Sequence, residues 1–134
     1  MRHTIKFVLA GVAAVLFGAS VSASSSVSLG DMAALQATMQ QYVDRKSVDG
    51  AYLFFDTDKA EVRELYPANA HPMILQMGKH FVLCFDFVDS AGARVEVDYY
   101  IARKDAGFVV FQESIGNRGL VQSMMQGGRV TPVR

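Results

Sequence analysis

The sequence predicts an α+β fold in which an N-terminal helix packs on a curved antiparallel sheet of four to five strands. Two observations carry this prediction. Apolar residues recur once at helical spacing, at Met32, Leu35, Met39, Tyr42 and Val43, and from Ala51 onward the alternation changes to a period of two. Clusters of Asp, Ser and Gly then divide the alternating region into strand-length runs.

Ser28-Leu29-Gly30-Asp31 opens the helix as a capping box, and Asp49-Gly50 marks its exit turn. Ala51 to Asp56 and Glu61 to Tyr66 read as a hairpin around Thr57-Asp58-Lys59. Pro67, Pro72 and Gly78 make residues 67 to 79 a crossing loop, with room for one helical turn at Met73 to Met77. Three strands are expected next: Lys79 to Val88, Arg94 to Ala102 and Phe108 to Ile115. Leu120, Val121, Met124 and Met125 suit a short amphipathic helix, and Gly127 to Arg134 reads as a loose tail.

Residues 1–23 carry the features of a secretory signal peptide: Arg2 and Lys6, an apolar run from Phe7 to Phe17, and Val21-Ser22-Ala23 before Ser24. Cleavage after Ala23 leaves residues 24–134 as one secreted or periplasmic domain, with no further span long enough for a membrane. Of the 13 basic residues Arg2 and Lys6 go with the leader, leaving 11 against 13 acidic ones. That balance argues against nucleic acid as a partner, which would call for a basic stripe. Cys84 is the only cysteine, so the domain folds without an internal disulfide, and the thiol reads as buried and inert.

Alternation also sets a register for the central hairpin, because a slip of one residue exchanges the two faces. Pairing Val88 with Arg94 puts Phe81, Leu83, Phe85, Phe87, Val95, Val97, Tyr99 and Ile101 on one apolar face, for which the helix is the natural cover. The second face then presents His80, Val82, Cys84 and Asp86 beside Arg94, Glu96, Asp98 and Tyr100. Cys84 falls opposite Asp98, and Asp86 opposite Glu96. Tyr100, Val82, Phe108 and Val110 make this face too apolar to stay bare. Its covers are the 67 to 79 loop, the C-terminal segment or a second copy of the chain in a homodimer.

The second face is where chemistry is expected, with His71, His80, Cys84, Asp86, Glu96, Asp98 and Tyr100 as candidate binding residues. His80 cannot activate Cys84, because four residues of strand separate them by roughly 13 Å. A carboxylate at Asp98 raises the thiol pKa and makes the thiolate scarcer. His71, His80, Cys84, Asp86 and Asp98 are competent metal ligands, and Met73 and Met77 suit a soft ion, but their spacing matches no metal signature. Asp86, Glu96 and Asp98 crowd together with Arg94 as the only cation on their face. Like charges that close are expected to raise their pKa values.

A single N-terminal helix on an antiparallel meander resembles the cystatin-like and nuclear-transport-factor-2-like folds. The cystatin inhibitory loop, Gln-x-Val-x-Gly, has only its ends in Gln112-Glu113-Ser114-Ile115-Gly116, and no Trp exists for the usual second hairpin. That departure argues against protease inhibition. The reading that follows is a non-enzymatic domain binding an unknown protein or small molecule through its second sheet face, without a cofactor. Metal binding through His71, Cys84 and Asp98 is the alternative, and a small enzyme the third.

Overall fold

Helix α1, Leu29–Lys46, begins where the hydroxyl of Ser28 accepts a hydrogen bond from the Asp31 backbone N–H at 3.0 Å, in a computed structural model that describes residues 26–134. Asp31 in its first turn and Arg45 and Lys46 in its last complement the helix dipole. Leu35, Met39 and Val43, one turn apart, are its buried face. The predicted signal peptide lies outside the described residues, among which no helix is long and apolar enough to cross a membrane.

The predicted fold class does not hold. Among the described residues the chain is mostly antiparallel sheet, of seven strands rather than four to five, with one helix before it and a short one ahead of the last strand. The strands are β1 Ser47–Val48, β2 Ala51–Asp56, β3 Glu61–Met77, β4 His80–Asp89, β5 Arg94–Lys104, β6 Gly107–Ile115 and β7 Thr131–Pro132, and α2 is Arg118–Gln126. The order is β1-β2-β3-β4-β5-β6, with β7 paired to β3. Asp49 and Gly50, both at positive φ, form a two-residue hairpin turn between β1 and β2 rather than a simple helix exit.

Residues 67 to 77, expected as a crossing loop, are strand, and Gly78 and Lys79 are only the turn into β4. Proline is tolerated on a strand where no ladder needs its missing N–H. β2 pairs with β3 only as far as Leu65 and β7 only at Leu75 and Gln76, so Pro67 and Pro72 sit in the stretch between, where the outer edge is open. Irregularities between Pro67 and Asn69 and between Ala70 and Ile74 absorb the mismatch with β4. Gly78, at φ 59°, turns β3 directly into β4. The helical turn at Met73 to Met77 is absent for the same reason.

The β4–β5 register is the expected one, with Val88 opposite Arg94, Cys84 opposite Asp98 and Asp86 opposite Glu96. Phe81, Leu83, Phe85, Phe87, Val97, Tyr99 and Ile101 form the core under α1, with Val95 packed at its edge. The second face is covered by the C-terminal segment: Val121 and Met124 of α2 and Val130 bury Leu75, Val82 and Tyr100. Residues 127 to 134 are therefore not a loose tail. β7 pairs with β3, and the Val133 N–H donates to the Ile74 carbonyl at 2.9 Å. Phe108 and Val110 lie in the α1-side core rather than on the second face. An irregularity between Tyr100 and Ile101 leaves Phe111 as an extra residue in β6 and exchanges the two sides of that strand.

Candidate functional site

Three elements meet over the middle of the second face. β4 and β5 supply Cys84, Asp86 and Asp98 by simple alternation, and the irregular stretch of β3 swings His71 over them. His71 Nε2 lies 2.8 Å from Asp86 Oδ2. On the far side of the sheet the side-chain amide of Gln36, from α1, donates to the carbonyls of His71 and Pro72 at 3.0 and 3.3 Å. The first residue of α2, Arg118, reaches back over β5 and donates to Asp98 Oδ1 at 2.6 Å. Of these groups His71, Cys84, Asp98 and Arg118 line a pocket of about 220 Å³, whose remaining walls are Pro72, Met73, Leu75, Val82 and Leu83; Asp86 and Gln36 are not among its walls.

The two carboxylates occupy different electrostatic environments. Burial pushes the Asp86 carboxyl upward, but hydrogen bonds from His71 and from Arg94, the latter at 2.8 Å, outweigh it and hold the group below its ordinary value. The expectation of a raised Asp86 pKa is thus overturned, because the bulge delivers a second partner that like-charge crowding left out. Asp98 is fully buried, and its desolvation outweighs Cys84 and Arg118, so its pKa is raised. Arg94 is not the only cation on the face, since Arg118 joins it. Each carboxylate keeps one oxygen, Asp86 Oδ1 and Asp98 Oδ2, buried and without a hydrogen-bond partner among the described residues.

Cys84 stands between the carboxylates, 5% exposed. Burial and then the charge of Asp98 push its thiol up to about 12, the opposite of an activated nucleophile. One donor atom each from His71, Cys84 and Asp86 lie within 4.8 Å of one another.

The other sequence-predicted residues do not join this group. His80 is at the start of β4, its ring packed edge-on to Phe111 at 5.5 Å. Glu96 pairs with Arg94 at 3.2 Å, away from the pocket. Tyr100 is buried under α2 with its hydroxyl unpartnered. Met77 packs into the α2 cluster while Met73 lines the pocket, so the two methionines do not converge.

Arg118 and Gln36 were missed, and no local pattern marks either. Each acquires its role from a partner at least twenty residues away. A second group also went unread: on the α1 side, Glu113 accepts from Tyr52 and Lys46, and the Lys46 ammonium sits 4.9 Å from the Tyr52 ring centroid. This group borders a wide, open depression of about 1000 Å³ with Phe54, Arg63 and Ile115 on its walls. Comparison of the chain with protein-family models, curated proteins and solved structures finds no match.

Proposed function

We propose that this chain is an exported domain that acts by binding, and that its binding site is the pocket between β3, β4, β5 and α2. The observation that carries the reading is Asp98 Oδ2, an acceptor in a fully buried side chain that lines the pocket and has no hydrogen-bond partner among the described residues. Buried polar atoms are rarely left unsatisfied, and an exception calls for a reason, of which a bound group is one. The thiol held at about 12 and the engagement of His71 by Asp86 speak for binding over nucleophilic chemistry. Export rests on the leader-like residues 1–23.

The test is native mass spectrometry of protein recovered from its exporting cells without chelator or dialysis. The expected spectrum has the mass of residues 24–134 plus a small non-covalent adduct. That adduct should be depleted in Met73→Trp, which crowds the pocket mouth. A bare mass for the wild type, or an adduct indifferent to Met73→Trp, would overturn the binding site, and a retained Met1 would overturn export.

A further inference from the structure

We propose that a transition-metal dication of the zinc type binds at the edge of this pocket, ligated by an imidazole nitrogen of His71 and Sγ of Cys84, which line it, and by a carboxylate oxygen of Asp86, whose donor atom lies within 4.8 Å of both. This rests on the binding reading above and narrows it to one chemical class.

Geometry supports it first. Ligands bound at about 2.0–2.3 Å in a tetrahedral arrangement lie roughly 3.3–3.8 Å apart. The three donor atoms here already lie within 4.8 Å of one another, and the His71–Asp86 pair must open from 2.8 Å by about half an ångström. The His71 side chain is the member that turns, on a backbone that Gln36 holds, whereas Cys84 and Asp86 project from the β4–β5 ladder.

The donor set selects the metal. A thiolate with an imidazole and one carboxylate suits zinc, whereas calcium and magnesium take oxygen ligands. The separation of Met73 from Met77 removes the thioether pair that a monovalent copper site would want. Size points the same way. About 220 Å³ corresponds to roughly seven waters at about 30 Å³ each, enough for an ion with its remaining shell and below the roughly 300 Å³ of ordinary small-molecule sites.

Charge balances as well. Asp86 and the Cys84 thiolate cancel a dication, the thiol proton leaves to solvent, and neutral His71 carries its proton on the nitrogen facing away from the metal. Arg94 keeps Glu96 at 3.2 Å as its counter-charge, and Arg118 stays paired with Asp98. Asp98 Oδ2 then has a role as acceptor for a water on the fourth position of the ion, which faces the pocket. Gln36 fixes the backbone that carries His71, a supporting contact of the kind that orients metal ligands.

The experiment titrates Co(II) into chelator-treated whole chain and follows absorption. Because Cys84 is the only cysteine, a near-ultraviolet thiolate-to-cobalt charge-transfer band reports on it alone. The expected result is a band that saturates at one equivalent, is displaced by Zn(II), and is absent in Cys84→Ser. His71→Gln and Asp86→Asn should each weaken binding at least tenfold, while His80→Gln leaves it unchanged. Circular dichroism of each variant shows whether it is folded, and His71→Gln, in an irregular and partly exposed stretch, keeps the test open if Cys84→Ser is not. No band with folded wild type, or a band indifferent to His71→Gln and Asp86→Asn, overturns the metal site. If the cell-derived protein nonetheless carries a metal-free adduct sensitive to Met73→Trp, the metal assignment falls and the binding reading stands.

Discussion

Asp98 Oδ1 and a guanidinium nitrogen of Arg118 lie 2.6 Å apart, joining the middle of β5 to the first turn of α2. The carboxylate side is 1% exposed and the guanidinium side 26%, so the pair is asymmetric. If Arg118 is removed the carboxylate is stranded, whereas a stranded guanidinium can turn toward water. Arg118→Met is therefore expected to cost about 2–3 kcal/mol, below the roughly 3–5 of fully buried pairs. Asp98→Asn should cost less, and the double variant should recover most of the Arg118→Met loss. Urea unfolding of the three variants checks the order, and an Arg118→Met cost near zero would show that the pair does not hold α2 to the sheet.

The Cys84 thiol, pushed up to about 12, leaves about one thiolate in ten thousand at pH 8. An ordinary thiol near 8.5 is about a quarter ionised there. Metal-free native protein should therefore react with a disulfide reagent at least a thousandfold more slowly than the urea-unfolded chain. Stopped-flow labelling in both states decides this, and comparable rates would mean that the sheet opens readily over β4.

Asp86 and Asp98 should pull stability in opposite directions with pH. Asp86 titrates below its unfolded reference of about 3.9, so its contribution is present above that value and is lost as pH falls through the folded one. Asp98 titrates above its reference, so the native state holds more protons between the two values and stability falls as pH rises through that window. In thermal melts across the acid range, the deficit of Asp86→Asn should shrink below about pH 4. Asp98→Asn should gain on the wild type as pH rises from about 4. Parallel curves for either variant would contradict the corresponding shift.

Gln36 holds the His71 and Pro72 carbonyls through two hydrogen bonds from one amide. At about 1 kcal/mol per bond, Gln36→Ala should cost about 1–2 kcal/mol. Hydrogen exchange should rise at residues 69 to 73 while α1 keeps its protection. Uniform loss of protection would place the effect in the helix instead.

Removing residues 128–134 takes away Val130 and the β7 pairing, uncovering Leu75 and part of the α2 cluster. The truncated protein is expected to melt several degrees lower and to bind a hydrophobic dye, since burying one Val side chain alone contributes about 1.5–3 kcal/mol. An unchanged melting temperature would mean that the segment is dispensable for the core.

The sequence by itself determined α1, from its cap and its apolar spacing, and the β4–β5 register, because a one-residue slip would have turned Phe81, Leu83, Phe85 and Phe87 outward. With the register came the opposition of Cys84 to Asp98 and so the central members of the site. What only the tertiary structure decided depends on partners distant in sequence. Pro67 and Pro72 mark a loop by local rules, but they lie on a strand because β2 and β7 leave its outer edge unpaired between them. The C-terminal residues look like a tail until α2 buries Val121 and Met124, which carries residues 131 and 132 to the edge of β3. His71, Gln36 and Arg118 enter the site the same way. A hydrogen bond or ion pair depends on proximity in space, and proximity between residues 35 or 20 positions apart is set by how the whole sheet folds.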